Sequence, residues 1–243
     1  MREQIVYQEV DPCPYLEGRD SRTPLRYQFQ PLDGLQADLS FHNGDRRVGR
    51  MLYDTQCPSC VACEAIRIPV NDFSPSKSQR RILRKNEDLR VEMAPTVCTP
   101  QKLDLYNRHK MLRGLNKRET AMGKSGYDNW FSRSCLDTRE FHYSIGDQLI
   151  GVSILDFGEQ DISSVYFFFD PNFSSRSLGT FSALFEMLWM KSQRRRFYYL
   201  GLYVEDCAHL NYKARFYPHQ RRVQGSWKEF PNSTVSRSEA RIL

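Results

Sequence analysis

The sequence predicts a mixed α+β fold, in which a small cysteine-rich N-terminal unit precedes a mixed sheet with helices. Between residues 139 and 204, three strand patterns, one strongly apolar helix pattern and a fourth strand pattern follow in order. Four cysteines fall within the first 63 residues, and frequent prolines there disfavour long helices. We therefore divide the chain into a Cys-rich metal- or cluster-binding region (1–95), a sheet-and-helix domain (96–222) and a polar tail (223–243).

Composition indicates a globular protein in a reducing compartment. Of the 243 residues, 40% are hydrophobic and 26% are charged, which is typical of a folded chain. No stretch approaches the run of about 18 apolar residues that a membrane span needs. The chain opens Met1-Arg2-Glu3-Gln4 without an apolar signal segment. We expect a cytoplasmic protein without a membrane partner.

The cysteine spacing predicts a metal centre. Cys57, Cys60 and Cys63 form a C-x-x-C-x-x-C run, and Cys13 can supply a fourth thiolate from a separate segment. Four thiolates suit either tetrahedral Zn²⁺ or an iron–sulfur cluster. The alternatives are buried free thiols or disulfides, but disulfides are rare in the cytosol and seven cysteines is an odd number.

A basic helix follows the cysteines. Residues 65–70 alternate as a strand, and Ser74-Pro75-Ser76 is typical of a helix start before the dense basic run 77–85. Residues 89–93 alternate again as a strand. Basic clusters among aromatic residues suit RNA, whose phosphates take the charge and whose unpaired bases stack on the rings. A set of solvated helix faces would give the same pattern.

The second half alternates between helix and strand patterns. Residues 100–122 have helical spacing of apolar side chains, and residues 177–193 form a strongly apolar helix pattern. Short turns with Gly or Asp separate the intervening strands. The predicted strands are 139–144, 148–156, 163–169 and 198–204, and a short helix or loop is predicted over 208–217.

Strand, strand, strand, helix, strand is the order of an acetyltransferase-like (GNAT-type) domain. Such folds separate two neighbouring strands and place the acyl donor at the N-terminus of the following helix. That helix starts Arg176-Ser177-Leu178-Gly179-Thr180-Phe181. Phe181 stands where coenzyme A sites carry a small residue, which favours a different activated acyl donor.

These elements, in this order, resemble the arginyl-tRNA–protein transferase family and its bacterial aspartate/glutamate leucyltransferase branch. The resemblance covers roughly residues 7–219, and its specificity lies in the joint order of its pieces. At Asp45 the sequence departs from the bacterial pattern, which usually has an aromatic residue before two arginines. The pieces are Cys13-Pro14-Tyr15-Leu16, Asp45-Arg46-Arg47-Val48-Gly49-Arg50, Cys57 to Cys63, Phe73 to Arg81, Ser164 to Pro171, Ser175 to Thr180, Tyr199-Leu200-Gly201 and Asn211 to Pro218.

The resemblance implies transfer of one amino acid, leucine or arginine, from an aminoacyl-tRNA to a protein's N-terminal Asp or Glu. The product is marked for N-degron degradation. The bacterial branch favours leucine. The tRNA ester is already activated, so no nucleotide cofactor is expected, and the sequence has no G-x-x-x-x-G-K-[ST] loop. The competing interpretations are a coenzyme A-dependent N-acetyltransferase and a non-catalytic zinc-knuckle RNA-binding protein.

Four side chains are candidates for catalysis. Tyr212 and Lys213 are suited to donate to the oxyanion or to the leaving ribose oxygen. Asp170 either accepts a proton or ends a turn before Pro171, and Tyr166 either takes part in catalysis or packs in the core. Main-chain amides near these residues, or at Gly179, can stabilise the oxyanion.

Cationic side chains are candidates for substrate binding. Lys77, Arg80 and Arg81 are expected to bind either the acceptor's carboxylate or the tRNA acceptor stem, with Arg176 and Arg215 as alternates. A bidentate Arg suits a carboxylate better than Lys does.

Overall fold

The computed structural model describes residues 3–115, 120–231 and 241–242, and it forms a mixed α+β fold. A π-helical turn (Asp128–Ser132) and two 3-10 turns (Pro171–Arg176 and Tyr212–Arg215) connect regular elements. The strands are β1 (Glu3–Tyr7), β2 (Val10–Pro12), β3 (Asp20–Arg22), β4 (Leu25–Gln28), β5 (Arg46–Val48), β6 (Met51–Tyr53), β7 (Glu64–Pro69), β8 (Arg90–Pro95), β9 (Asp137–Ile145), β10 (Gln148–Phe157), β11 (Ile162–Phe169), β12 (Phe197–Tyr203), β13 (His219–Val223), β14 (Ser226–Phe230) and β15 (Arg241–Ile242). The helices are α1 (Gly34–His42), α2 (Lys77–Lys85), α3 (Pro100–Leu112), α4 (Lys124–Tyr127), α5 (Leu178–Ser192) and α6 (Ala208–Asn211).

A nine-stranded sheet organises the molecule. Its strand order is β15-β14-β13-β7-β12-β11-β10-β9-β8, and two smaller sheets, β1-β4-β6-β5 and β2-β3, come from the N-terminal region. β7 follows the cysteine run directly, yet it lies in the interior of the large sheet between β13 and β12. All six of its residues are buried, as expected for a strand covered on both faces.

Two neighbouring strands of this sheet separate. β11 and β12 run parallel but pair only at Ile162↔Tyr198 and Ser163↔Tyr199. Beyond these pairs, β11 shifts register against β10, and β12 shifts register against β7 before Gly201. Such irregularities bend a strand and increase its twist. The two strands therefore diverge and leave a gap at their carboxyl ends.

The apolar core lies against the faces of the sheet. The core group that includes Leu184 and Met187 of α5 also contains Ile68, Phe157 and Tyr198 from the sheet. Another group joins α3, the turn at residues 127–131 and side chains of β10 and β11. Burial of such apolar surface contributes roughly 25 cal/mol per Å², so α5 stabilises the strands that flank the gap.

Local signals in the sequence account for the helix ends. Ser76 caps α2, and its side chain accepts a hydrogen bond from Gln79 N while the Gln79 side chain accepts one from Ser76 N. This reciprocal pair is a capping box, and it confirms the predicted start of the basic helix. Thr99 caps α3 in the same region of the chain, and Pro100 occupies the first helical turn.

The elements predicted between residues 65 and 217 match the structure apart from the end of α3, whereas α1 and the individual strands β1 to β6 of the N-terminal region were not predicted. α3 ends at Leu112, and residues 116–119 of the predicted helix lie outside the described residues. Ser226–Phe230, which we assigned to a polar tail, forms β14 because Trp227 and Phe230 are buried against the molecule. Residues 232–240 and 243 of that tail lie outside the described residues. Of the helices described, none has the length and apolarity to cross a bilayer.

Candidate active site

A cavity of about 770 Å³ opens where β11 and β12 diverge. One wall is formed by Ser164 to Phe167 of β11, and another by Leu200 and Leu202 of β12. The first turns of α5, including Gly179 and Ser182, close a third side. A helix N-terminus carries a partial positive charge, so this side favours a developing negative charge.

The cavity is lined by basic side chains, which are arginines, a lysine and histidines. Arg46, Arg47, Arg113 and Lys213 line it, whereas no Asp or Glu does so among the described residues. Arg47 is neutralised by Asp156, whose carboxylate accepts from Nε at 2.7 Å. Arg47 Nη2 is buried and has no hydrogen-bond partner within the described residues. The cavity is therefore electropositive and suited to an anionic substrate.

Arg46 bridges the diverging strands. Its Nη1 donates to Ser163 Oγ at 3.0 Å and its Nη2 donates to the Ser164 carbonyl at 2.6 Å, both on β11. The opposite strand contributes Gly201, where an added Cβ would lie 2.9 Å from Arg46 Cζ. The absence of a side chain at Gly201, which has a φ of +85°, thus makes room for the guanidinium.

Lys213 lies beside Arg46 on the β12 side of the cavity. Its Nζ donates to the Leu202 carbonyl at 2.7 Å. Burial lowers the pKa of Lys213 to about 7, and the positive charge of Arg46 contributes in the same direction. Near neutral pH this amine can exchange a proton, which is the property required of a general acid or base.

Two tyrosines selected from the sequence also line the cavity. Tyr212 precedes Lys213 in the 3-10 turn, and burial raises the pKa of its hydroxyl. Tyr166 packs among aromatic rings, with Tyr106 at 5.8 Å and Phe131 at 5.7 Å between ring centroids. Burial also raises the pKa of Tyr166. Both hydroxyls therefore stay protonated near neutral pH and can serve as hydrogen-bond donors.

Asp170 is buried at the end of β11, outside the cavity lining. Its Oδ1 accepts from Asn172 N at 3.0 Å, and its Oδ2 accepts from Arg108 Nη1 at 2.9 Å. It also caps the 3-10 turn that begins at Pro171. These contacts correspond to the turn role that the sequence left open beside catalysis.

A buried carboxyl group lies behind the cavity wall. Glu186 of α5 accepts hydrogen bonds from the hydroxyls of Tyr143 and Tyr198, and Ser153 also bonds to it. Burial raises the pKa of Glu186 to about 7, against the effect of these hydrogen bonds. Tyr198 and Ser153 both line the cavity. Glu186 thus fixes two polar side chains of the wall through direct contacts.

The predicted substrate-binding cations lie around the rim and outside it. Lys77, Arg80 and Arg81 are exposed on α2. The end of α2 contacts the loop that follows β11, since Lys85 Nζ donates to the Ser175 carbonyl at 2.6 Å. Arg176 forms two bonds with Asp88, at 2.8 and 2.9 Å, and the Arg215 carbonyl accepts from Gln79 at 3.2 Å. Ser174 and Ser177 of the same loop line the cavity, so the C-terminal end of the basic helix contacts a segment of the cavity wall.

The four predicted metal-binding cysteines lie in one region next to the cavity. Burial raises the pKa of the Cys63 thiol to about 12, with further contributions from Cys57, Cys13 and Cys60. Arg19 connects two of the segments, because its carbonyl accepts from Cys13 N at 2.8 Å and its Nη1 lies 3.6 Å from Cys60 Sγ. Across the described ranges 3–115, 120–231 and 241–242, no three His, Cys, Asp or Glu side chains are arranged to share a metal ion. The thiols are suitable donors and lie near one another, but they do not form a closed ligand set.

Sequence reasoning missed several side chains of the cavity. Arg46 was noted only within a segment that resembles the transferase family, and Tyr15 only as a residue close to Cys13. Glu186 had a local signal, since it is the one carboxylate within the apolar helix α5. Such an isolated charge on an apolar face indicates a buried polar contact.

An electropositive cavity at the N-terminus of an apolar helix suits a transferase that handles an anionic substrate, and comparisons with known proteins identify the family. Residues 101–223 match the profile described as arginine-tRNA-protein transferase, C terminus, and residues 11–81 match the profile of its N terminus. The aspartate/glutamate leucyltransferase of Saccharophagus degradans is 33% identical over 221 residues, covering 90% of this chain and 93% of the relative. That of Vibrio campbellii is 35% identical over 224 residues, covering 89% and 93%. The chain belongs to the arginine-tRNA-protein transferase family and is an aminoacyltransferase.

Solved structures resemble the chain only distantly. FemX matches 74% of this chain and 63% of its own, with a TM-score of 0.43 and 10% identity. The C-terminal domain of a putative lysylphosphatidylglycerol synthetase from Agrobacterium fabrum matches 58% and 46%, with a TM-score of 0.44 and 12% identity. Similarity at this level does not bear on the chemistry of the site.

Proposed function

We propose that this enzyme transfers leucine, or alternatively arginine, from an aminoacyl-tRNA to the N-terminal Asp or Glu of proteins and so marks them for N-degron degradation. The observation that carries the proposal is the 33% identity to an aspartate/glutamate leucyltransferase over 90% of the chain. The electropositive cavity supports it, because both the tRNA and the acidic acceptor are anionic. We further propose that the diverging strands form a GNAT-type acyl-transfer cleft, and that the enzyme acts in the cytoplasm.

The proposed reaction exchanges an ester for an amide. The neutral α-amine of the acceptor attacks the ester carbonyl carbon, a C–N bond forms, and the C–O bond to the tRNA ribose breaks. The amine loses a proton, and the ribose oxygen gains one. The ester is already activated, so catalysis consists mainly of orientation and of stabilising the oxyanion.

Cavity residues can perform these steps. Gly179 lines the cavity at the start of α5, and its main-chain amide can donate to the oxyanion. Lys213, whose pKa is about 7, can take the proton of the attacking amine and pass it to the ribose oxygen. Tyr212 and Tyr166 can donate hydrogen bonds to the reacting groups. Asp170 has only an indirect part in this scheme, because it lies outside the cavity lining.

We assign the tRNA to the basic helix α2. Lys77, Arg80 and Arg81 are exposed along a helix that contacts two segments of the cavity wall, the loop at Ser175 and the turn at Arg215, and Arg215 is also exposed. This arrangement lets the phosphates of the acceptor stem contact the helix while the aminoacylated 3′ end of the tRNA enters the cavity. Arg176, whose guanidinium is paired with Asp88, would position the loop between the basic helix and the cavity.

We also propose that Cys13, Cys57, Cys60 and Cys63 together hold one zinc ion or one iron–sulfur cluster. Four thiolates are the donor set that either centre requires. The group would supply structural cross-linking of the N-terminal segments. Tyr15 connects this region to the cavity, because it lines the cavity and its pKa responds to Cys63 and Arg46 after the dominant effect of burial.

A transfer assay tests the proposed function. The enzyme is incubated with leucyl-tRNA or arginyl-tRNA and with peptides that begin with Asp, Glu or Ala, and intact-mass spectrometry identifies any added residue. We expect the mass of one leucine, or of one arginine, on the Asp and Glu peptides and none on the Ala peptide. Acetyl addition from acetyl coenzyme A, or salt-sensitive RNA binding without any product, would replace this proposal with the corresponding alternative.

A further inference from the structure

One cation of the cavity combines a permanent charge with a fixed position. Arg47 is paired with Asp156, and Lys213 is neutral for part of the time near pH 7 because its pKa is about 7. Arg113 is exposed, and its Cζ lies 5.5 Å from the centre of the Phe169 ring. Arg46 therefore supplies the permanent positive charge where the two strands diverge, and no acidic side chain of the described residues lines the cavity to neutralise it.

The surroundings of Arg46 hold its guanidinium in one plane while leaving donors available. Its bonds to Ser163 Oγ and the Ser164 carbonyl use one N–H on each terminal nitrogen. A guanidinium has five N–H donors in a planar fork, so further donors remain. Gly201 of β12 lies against the group, and a Cβ there would lie 2.9 Å from Cζ and 3.0 Å from Nη2, so only a residue without a side chain lets the guanidinium take this position.

A carboxylate fits this arrangement better than other anions of the reaction. The fork of an arginine matches the two oxygens of a carboxylate, and the charge-assisted pair is roughly twice as strong as a neutral hydrogen bond. The acceptor's side-chain carboxylate is one or two methylene groups from the Cα that carries the attacking amine. Arg46 shares the cavity with Lys213 and with the start of α5, where we place that amine and the ester.

We propose that Arg46 is the specificity-determining residue that binds the side-chain carboxylate of the acceptor's N-terminal Asp or Glu. The inference rests on the transferase function proposed above and adds the site of acceptor selection. An N-terminal Asn or Gln would present an amide N–H₂ and no charge to the guanidinium. The cavity would discriminate against it because the half-buried Arg46 guanidinium would then lose the charge-assisted pair that a carboxylate offers.

Transfer kinetics with matched acceptors test the role of Arg46. kcat/KM is measured for peptides beginning with Asp, Asn, Glu and Gln, using wild type, Arg46→Gln, Arg46→Lys and the control Arg139→Gln. Arg139 is exposed on β9 and pairs with Asp137, so its substitution removes one positive charge away from the cavity. We expect the Asp-to-Asn ratio to fall about 10- to 100-fold in Arg46→Gln. Arg46→Lys should reduce it less, because the charge remains and the fork is lost, and Arg139→Gln should keep the wild-type ratio.

A second measurement on the wild-type protein avoids dependence on the folding of the variants. Arginine modification by phenylglyoxal is mapped by mass spectrometry with and without the dipeptides Asp-Ala and Asn-Ala. We expect Asp-Ala to protect Arg46 and Asn-Ala to leave its modification rate unchanged within about twofold.

The outcomes separate the inference from the proposed function. An unchanged Asp-to-Asn ratio in an active Arg46 variant, an equal loss of activity on all four peptides, or equal protection by both dipeptides would overturn the role of Arg46. The second of these results would leave Arg46 as a structural bridge between β11 and β12. No transfer by the wild type to any peptide would refute the proposed function, and the dipeptide protection would still report on Arg46.

Discussion

Lys213 gives a quantitative prediction about stability. Its folded-state pKa is lowered to about 7 from an ordinary value of 10.5, mainly by burial. The unfolded chain therefore binds more protons than the folded protein between these values, so stability increases as pH rises through this window. The stability contributed by neutral Lys213 is complete above the pKa of the unfolded chain. It is lost as the pH falls to the pKa of Lys213 in the folded protein.

The size of the effect follows from the linkage relation. One pKa unit corresponds to about 1.36 kcal/mol, and Lys213 is half protonated in the folded protein at pH 7. Between pH 7 and pH 9, the wild type should gain about 2 kcal/mol in free energy of unfolding relative to Lys213→Met. The lost hydrogen bond to the Leu202 carbonyl adds a pH-independent cost of about 1 kcal/mol to the variant.

Urea unfolding followed by tryptophan fluorescence between pH 6 and pH 9 measures this difference. Other titrating groups, including the thiols, are common to both proteins and cancel in the comparison. Lys77→Met, which removes an exposed lysine of α2, controls for the loss of one charge. A difference between wild type and Lys213→Met that stays constant over this pH range would refute the assignment of a buried, partly deprotonated amine.

Two further predictions concern the thiols and the basic helix. Cys57→Ser/Cys60→Ser should remove the zinc or iron found by elemental analysis after anaerobic purification, whereas Cys98→Ser, remote in sequence from the proposed ligands, should retain it; unchanged metal content in the double variant would reject the ligand set. Arg80→Gln/Arg81→Gln should weaken tRNA binding at low salt and reduce the slope of log K against log salt by about 1 for each lost phosphate contact. An unchanged salt slope would place the tRNA elsewhere.

Local patterns were sufficient to predict the strands β7 to β12 and the helices α2, α3 and α5. The helix start at Ser76 and the strand patterns at 139–144, 148–156 and 163–169 were visible within a few residues of sequence. The diverging strands followed from element order. These features depend on backbone geometry and on nearest neighbours, which is the information that periodicity contains.

Long-range contacts could not be predicted from such patterns. Arg46 meets Ser163 across 117 positions of sequence, and no periodicity indicates that contact. β14 has only two apolar residues, and the burial of Trp227 depends on partners in the distant elements α1, β7 and β12. Tyr166, Tyr212 and Lys213 were selected through the resemblance, and the structure brings them to one cavity.

The position of β7 determines how the protein can be dissected. Glu64, the first residue of this strand, directly follows Cys63 and pairs with Tyr203 of β12, while the other edge of β7 pairs with β13. Removing the chain before residue 96 would delete β7 from the interior of the sheet. The edges of β12 and β13 would then be unpaired, and unpaired edges promote aggregation. The two profile-matched segments thus share one sheet, and a distortion of the cysteine loop would be transmitted through β7 to β12, whose Leu200 and Leu202 line the cavity.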